Sequence, residues 1–247
     1  MLTAAAICPH PPLLVPEVTG GADAAELAAL RAACAAAVST LVAARADILV
    51  VVGGGNRTVR YRDDAAGTLA DYGVPFTIGG GPPVLPLSLT IGRWLLCGHD
   101  AVPQAVAADA PPDQCLLLGA ELAALAPSVA LLAMGDGPAR RARRAPGAID
   151  ADADRYDKQV ANALASGTFG TLADLDPVHD DELFIAGRAA WQVLAGAALA
   201  DADGDPSDAR FAARLRYADA PFEVTYFVAT WRLEQPRLSP ATDERAE

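Results

Sequence analysis

Three runs of consecutive apolar residues dominate the hydrophobic pattern of this chain. They cover residues 3–8, 47–52 and 128–134, and each runs directly into proline or glycine. Because none of them alternates with polar residues, each is predicted to be a strand with both faces covered, as in a parallel sheet. Apolar residues at helical spacing from Leu27 to Val42 separate the first two runs, behind a capping-box-like Asp23 and Glu26. Strand, helix and strand in this order predict a right-handed βαβ unit.

The remaining elements complete an α/β pattern. Residues 57–86 are rich in glycine, proline and aspartate and predict an irregular excursion with one short strand at 75–78. Further predictions are helices over residues 89–97, 120–125, 152–165 and 180–199, a central strand over 115–118, and an antiparallel pair over 211–217 and 222–232, in which Phe222, Val224, Tyr226 and Val228 form one alternating face. The predicted fold is a mixed, mostly parallel central sheet with helices on both faces and an antiparallel C-terminal edge. It forms one domain over residues 1–233, followed by a charged, disordered tail over 234–247.

Composition and charge narrow the classes of partner. The chain has 247 residues, of which 52% are hydrophobic, and a formal net charge of −12. The negative charge argues against nucleic acid and anionic membranes, so a small molecule is the expected partner. No apolar run reaches the roughly 18 residues of a membrane span, and the N-terminal segment lacks a basic region, which together predict a cytoplasmic protein. The four cysteines, Cys8, Cys34, Cys97 and Cys115, form no CxxC pair, and three of them lie in apolar segments and are predicted to be buried.

The candidate chemistry lies at the strand ends. The sequence contains no GxGxxG before a helix, no GxxxxGK[ST] and no GxSxG elbow, which excludes the common nucleotide-binding and hydrolase motifs. In open α/β sheets, ligands bind beyond the carboxyl ends of the strands. The three apolar strands end in CPHPP, GGGN and MGDG. These three loops are therefore predicted to converge on one crevice.

The three histidines differ in their surroundings. His10 lies among prolines at positions 9, 11 and 12, which fix φ and stiffen the loop. A rigid imidazole at a strand end suits a metal ligand or a general base, and a structural histidine is the alternative. His99, in CGHDA, is predicted to lie on a surface loop. His179, in DPVHDDE, is predicted to lie at the start of a helix, where it would take part in capping and in pairing with the helix dipole. The alternative is a role as a ligand that faces His10.

The loop MGDG and the arginines after it suggest an anion site. Glycines allow close approach of backbone N–H groups to a ligand, and Asp136 adds a carboxylate at the strand end. Arginines follow at positions 140, 141, 143 and 144. Arg140 and Arg141, which are nearest the glycines, could clamp a carboxylate or phosphate. The arginines at positions 143 and 144 are predicted to lie on a solvent-exposed face.

Four segments in order resemble one family. They are AAAICPHPPLLVPEV, LVVVGGGN, LLAMGDGPARR and ELFIAGRAAWQVLAGAA. Together they resemble the actinobacterial branch of the class III extradiol ring-cleavage dioxygenase catalytic subunits, a family that includes the Memo proteins. The resemblance covers roughly residues 2–233. It implies an α/β fold with an active-site crevice, frequent homodimers, and Fe(II) held by two histidines and a carboxylate for a catechol and O2.

The sequence departs from the iron site that the resemblance implies. His10 matches the first ligand, after the first strand, but Asn56 stands where the second histidine is expected. The loop MGDGPARR lacks the family's acid–base histidine. Glu182 is the nearest candidate for the carboxylate ligand. An amide oxygen is a weaker ligand for a first-row metal than imidazole, so this set predicts a poor Fe(II) site.

Three hypotheses remain from the sequence. The first is a metal-dependent dioxygenase of a phenolic substrate, in which Asn56 or His179 and Asp136 or Glu182 complete a site at His10. The second is a non-catalytic relative whose crevice, bordered by Gly54, Gly55 and Asn56, binds a small anionic ligand or a protein partner. The third is a metal-free enzyme that uses His10 as general base, beside Asp136 or Asn56.

Overall fold

A computed structural model of the chain describes residues 1–21, 25–139, 151–200 and 211–234. The strands in this part of the chain are β1 (Leu2–Cys8), β2 (Ile48–Gly55), β3 (Val59–Arg60), β4 (Gly67–Leu69), β5 (Val74–Ile78), β6 (Val102–Ala107), β7 (Val129–Met134), β8 (Phe211–Asp219) and β9 (Tyr226–Leu233). The α-helices are α1 (Ala25–Val42), α2 (Leu87–Leu95), α3 (Pro112–Ala123), α4 (Ala151–Ser166), α5 (Phe169–Ala173), α6 (Val178–Leu183) and α7 (Arg188–Leu199).

The central sheet confirms the predicted fold class. Its strand order is β3-β6-β2-β7-β1-β9-β8. The four inner strands, from β6 to β1, run parallel, and β3 pairs antiparallel with β6 at one edge. At the other edge β9 and β8 continue the sheet in antiparallel pairs, which forms the predicted C-terminal edge. The strands β4 and β5 pair separately.

The sheet separates two hydrophobic cores. Val50 and Val52 of β2 belong to the core shared with α3, α4 and α7, whereas Val51 belongs to the core shared with α1 and α2. Each parallel strand therefore needs apolar residues on both faces, which explains the absence of alternation in its sequence. The prediction that three of the four cysteines are buried is confirmed: Cys8, Cys34 and Cys115 are buried, and Cys97 is exposed.

The first of these cores contains a close crossing of α3 and α7. A Cβ at Gly119 would lie 2.0 Å from the carbonyl oxygen of Val193. A Cβ at Gly196 would lie 2.2 Å from the carbonyl oxygen of Leu116. The two backbones approach this closely only because both positions lack a side chain. The crossing fixes α7, and with it the segment that enters α7 beside the strand ends.

The strand predicted over residues 115–118 is wrong. These residues lie in α3, which begins at Pro112. Cys115 is buried while Leu117 is 62% exposed, so the run covers one face of a helix. Four apolar residues are too few to distinguish a helix from a strand by periodicity. The missing strand is β6, which pairs parallel with β2 and contains Pro103.

Two other predicted segments differ in extent. The helix predicted over 180–199 is two helices, because Phe184 takes a left-handed φ of 52° between α6 and α7. The break brings residues 185–187 alongside the strand ends. The excursion over residues 57–86 holds β3 and β4 as well as the predicted short strand, which is β5. Short strands of two or three residues carry too little pattern to be recognised.

The predicted alternation in the last strand is also wrong. Phe222 and Val224 precede β9, and Tyr226, Phe227 and Val228 are all buried. The strand is covered on both faces, since Val228 lies in the core with α1 and Phe227 in the core with α7. The tail predicted after residue 234 lies outside the described residues.

Helix α1 has the length and hydropathy of a membrane span. It has 18 residues with a mean hydropathy of 1.5. Its buried residues, which include Leu30 and Cys34, pack on the sheet, and a core helix of a soluble protein meets the same criteria. The helix is thus compatible with a soluble protein, and the cytoplasmic location stays a prediction. Asp23, the predicted cap of this helix, lies outside the described residues.

Candidate functional site

Strands β1 and β7 end at the same level of the sheet, and β2 continues two residues further. Cys8, the last residue of β1, and Gly53 of β2 are both in register with Met134, the last residue of β7, which runs between them. The glycines predicted to form a loop after this strand belong to β2, which ends at Gly55 and pairs with β6 to that point. Because the three strands are parallel, the segments that follow them leave the sheet at the same end, which places His10, Asp136 and Asn56 there.

His10 and Asp136 are the predicted site residues that contact each other. The main-chain N–H of His10 donates a hydrogen bond of 2.7 Å to Asp136 Oδ1. The same oxygen lies 3.5 Å from His10 Nδ1, and the two side chains are 12% and 15% exposed. Nδ1 is buried and has no hydrogen-bond partner among the described residues. Since Nδ1 faces the carboxylate, Nε2 is the nitrogen available to a bound molecule.

Backbone hydrogen bonds on both sides hold the loop that carries Asp136. On one side Ala186 N donates to Asp136 O at 3.2 Å, and Ala139 N donates to Leu183 O at 2.9 Å. On the other side Gly137 N donates to Thr225 O at 2.8 Å, and Thr225 N donates to Pro138 O at 3.0 Å. The loop therefore runs as an extended segment between the α6–α7 connection and the start of β9. Its rigidity positions the carboxylate before any ligand binds.

Two glycines let the α6–α7 connection approach this loop. A Cβ at Gly135 would lie 2.5 Å from Gly187 Cα and 2.9 Å from Trp191 Nε1. A Cβ at Gly187 would lie 2.3 Å from the Trp191 ring. Trp191 is buried, and its Nε1 has no hydrogen-bond partner among the described residues. Packing against Trp191 therefore explains the first glycine of MGDG, Gly135.

The triple glycine at the end of β2 mainly allows α2 and the segment before it to pack closely against the strand. A Cβ at Gly53 would lie 2.6 Å from Ser88 Oγ, and that hydroxyl donates to Gly54 O at 2.6 Å. Gly54 faces Ala186 O, and Gly55 packs beside Ala105. These contacts favour a structural reason for the glycines, while their predicted role in ligand binding stays a prediction. Asn56, the residue in the second ligand place, is exposed.

Tyr226 is a residue of this site that the sequence analysis did not single out. Burial, and then the charge of Asp136, raise the pKa of its phenol well above the ordinary value. The pairing of β9 with β1 ends where Ala229 lies opposite Ile7, and Thr225 instead exchanges backbone hydrogen bonds with Gly137 and Pro138. Tyr226 therefore follows a residue that is bonded to the Asp136 loop. No local pattern in the sequence indicates this position, because it depends on contacts between segments that are distant in the chain.

His179 and Glu182 lie together on α6. His179 Nδ1 is 3.8 Å from Glu182 Oε2, and the His179 ring packs edge-on against Tyr156 of α4 at 6.3 Å between centroids. Tyr156 belongs to the core on the α4 and α7 face, whereas Tyr226 belongs to the opposite core. No described contact joins His179 or Glu182 to His10. Their proposed roles opposite His10 stay predictions.

The iron site implied by the resemblance does not fit the described residues. Within residues 1–21, 25–139, 151–200 and 211–234, no group of three or more His, Cys, Asp or Glu side chains could hold a metal ion. His10 has one carboxylate beside it, and that carboxylate is engaged by the His10 main chain. Arg140 and Arg141, predicted to clamp an anion, lie outside the described residues.

Comparisons with known proteins leave the activity to be argued from this chain's own residues. No family model matches the chain, and no curated protein matches it. Among solved structures, the chain is similar to the crystal structure of uncharacterized protein JW3007 from Escherichia coli K12, at 13% sequence identity and a TM-score of 0.45. The alignment covers 93% of this chain and 99% of that chain.

Proposed function

We propose that this chain is a divergent relative of the class III extradiol dioxygenases that binds a small phenolic or anionic molecule at His10 and acts on it by proton transfer. The observation that carries the proposal is the contact of Asp136 Oδ1 with both the main chain and the imidazole of His10. This pair stands at aligned strand ends, the place where open α/β sheets bind ligands. The resemblance supplies the expected ligand class.

The carboxylate orients the imidazole for this task. Asp136 beside Nδ1 favours the tautomer with the proton on Nδ1, which leaves Nε2 as a proton acceptor. A hydroxyl group of a ligand at Nε2 would give up its proton there. The stiff proline loop and the hydrogen-bonded Asp136 loop limit movement of either group, so their geometry is set before the ligand arrives.

Extradiol ring cleavage is the second candidate. It is favoured by the position of His10, which matches the family's first ligand at the end of the first strand. It is disfavoured by the absence of a three-residue metal group among the described residues. The two candidates differ in whether iron and O2 are needed.

One set of measurements separates the candidates. The protein is purified anaerobically, loaded with Fe(II), and analysed for bound iron, zinc and manganese. O2 uptake is then followed on a panel of catechols, and the same panel is used in thermal-shift measurements. We expect sub-stoichiometric metal, no O2 uptake, and a higher melting temperature with catechol-type compounds.

Two histidine variants locate the binding site. His10→Ala is expected to remove the ligand-induced shift while the ligand-free protein stays folded. His99→Ala is the matched control, because His99 is exposed and lines a separate cavity beside α1 and α2. Stoichiometric iron with O2 uptake would overturn the proposal in favour of ring cleavage. A panel that shifts neither the wild type nor the control would overturn binding at this crevice.

A further inference from the structure

We infer that the cavity between the C-terminal ends of α1 and α2 binds a small aliphatic carboxylate, whose alkyl chain lies inside the cavity and whose head group lies on Arg45 and His99 at the rim. This site is independent of the proposed function, because it shares no residue with the crevice of His10 and lies at the other end of the sheet.

The path of the chain places the cavity at the amino ends of the parallel strands. Helix α1 ends at Val42, shortly before β2 begins at Ile48. Helix α2 ends at Leu95, shortly before β6 begins at Val102. The crevice of His10 lies beyond the carboxyl ends of the parallel strands. The two sites are therefore separated by the length of the sheet.

The interior of the cavity is aliphatic. Its volume is about 510 Å³, a size typical of small-molecule sites. Val38, Leu95 and Leu96 are buried members of the core that α1 and α2 share with the sheet. The other apolar residues of the lining are Ala35, Val42 and Ala43. None of the ten lining residues is aromatic, so the interior suits an alkyl chain.

The polar part of the lining favours an anion. It consists of Ser39, Arg45, Cys97 and His99. None of these is a carboxylate, although the chain has a net charge of −12. Three other cavities in the described part of the chain are each lined by at least two carboxylates. The cavity beside α1 and α2 therefore differs from them in the sign of its charge, which favours a negatively charged head group.

Arg45 and His99 supply the donors for that head group. Arg45 is exposed, and no ion pair or side-chain hydrogen bond joins it to another described residue. A carboxylate therefore gains the planar guanidinium without displacing a protein partner. The imidazole of His99, which is also exposed, has at least one N–H donor in either protonation state.

The backbone holds two of these side chains at some cost. Arg45 and Cys97 take left-handed φ angles of 52° and 49° just beyond the ends of α1 and α2. Glycine is the usual residue at such a position, because a Cβ is strained there. The chain has side chains at both places, and both line the cavity. Strained residues of this kind are concentrated at binding sites.

Three probes with the same alkyl chain and different head groups test the site. Octanoate, octanol and octylamine are titrated into the full chain, and the rate at which iodoacetamide, a neutral reagent, alkylates Cys97 is measured by mass spectrometry. Cys97 is the exposed cysteine of the four, so its alkylation reports on the cavity. Octanoate is expected to protect Cys97 saturably and to bind about tenfold more tightly than octylamine, with octanol between them.

Two alanine variants locate the ligand. Ala43 lines the cavity and Ala32 does not, and both are exposed. Ala43→Phe fills part of the cavity and is expected to abolish octanoate binding, whereas Ala32→Phe is expected to leave it unchanged. Because a ring at position 43 can also cover Cys97, octanoate binding to these two variants is measured by calorimetry.

Variants of Arg45 separate its charge from its shape. Arg45→Gln is expected to weaken octanoate about tenfold and to leave octanol unchanged, while Arg45→Lys is expected to retain most of the affinity for octanoate. Arg57→Gln is the control, because Arg57 is exposed and lies outside the cavity lining.

Four outcomes would overturn the site. The absence of saturable protection by octanoate rejects the ligand, and equal affinities for the three probes reject the anionic head group. Octanoate binding that is unchanged in Ala43→Phe rejects the location. An alkylation rate of Cys97 that falls as the concentration of the ligand-free chain rises would show that a second copy covers the cavity in place of a small molecule.

Discussion

The guanidinium of Arg188 is buried against the carboxylate of Asp180. Arg188 Nε donates to Asp180 Oδ2, which ties the first residue of α7 to α6. The other nitrogens donate to Ala110 O at 2.9 Å and Ala108 O at 2.8 Å, in the loop between β6 and α3. The pair thus holds the α6–α7 connection, whose backbone borders the Asp136 loop.

Removing this guanidinium should lower the unfolding free energy of the protein. Arg188→Ala leaves a carboxylate and two carbonyls without their buried donor, so we expect a loss of about 3–5 kcal/mol in unfolding free energy, measured by urea titration. Arg155→Ala is the control. Arg155 forms an exposed pair with Asp152, with side chains 75% and 54% exposed. Its loss should cost less than about 1 kcal/mol. Equal costs for the two variants would contradict a buried network at Arg188.

Asp136 should stabilise the loop of His10 as well as orient its ring. Asp136→Ala removes the acceptor of the partly buried His10 N–H, and we expect a loss of about 1–3 kcal/mol in urea unfolding. Asp136→Asn keeps an oxygen acceptor and should retain most of that stability. Asp71→Ala, which removes an exposed carboxylate, serves as the control. An alanine variant as stable as the wild type would argue against this hydrogen bond.

The crossing of α3 and α7 should not accept a methyl group. Gly119→Ala and Gly196→Ala each place a Cβ within about 2 Å of a backbone carbonyl, and we expect each to cost about 1–3 kcal/mol or more. Gly80→Ala is the control, because a Cβ there meets nothing within 4 Å. The double variant should lose less than the sum of the two, since one displacement of the helices relieves both clashes. Differential scanning fluorimetry followed by urea titration would measure all four proteins.

Stability should fall at alkaline pH. Burial, with the charge of Asp180 next, raises the pKa of Tyr156 above its ordinary 10.0, and burial and Asp136 do the same for Tyr226. Above about pH 10 the unfolded chain therefore loses phenol protons that the native state keeps, so the unfolding free energy decreases as pH rises. Tyr156→Phe should reduce this slope by up to about 1.4 kcal/mol per pH unit.

The control for this slope is Tyr72→Phe, which removes an exposed phenol. Urea unfolding between about pH 9 and pH 11, followed by tryptophan fluorescence, gives the slope for each protein. A slope that is the same in the wild type and in Tyr156→Phe would show that the buried phenol does not carry the effect.

Long apolar runs in the sequence were sufficient to predict most of the fold. The apolar runs of β1, β2 and β7 predicted the parallel core because strands covered on both faces need no polar residue. The strand β6 was missed because Pro103 and Gln104 interrupt its apolar pattern, although the sheet accommodates both. The apolar run of α3 was assigned to a strand because its four residues fit either period. The break at Phe184 falls on an apolar residue, and the glycine that precedes α7, Gly187, lies three residues later, so a single glycine was compatible with one continuous helix.

The site was predicted in part. His10 and Asp136 were predictable because both follow strands whose ends must meet in a parallel sheet. Tyr226 was not, because its place near Asp136 depends on how the last strand meets the Asp136 loop, and no local pattern encodes that contact. The packing roles of Gly53 and Gly135 were missed for the same reason, since Ser88 and Trp191 are distant in sequence.

The contact between His10 and Asp136 joins residues 126 positions apart. It requires β1 to be paired with β7, so the chain from the first strand to the loop after β7 must be assembled before the two residues can meet. Closing so long a loop makes this one of the later steps of folding to complete. A compound that binds there would therefore recognise fully folded molecules alone, and its saturation would count the native fraction of a preparation.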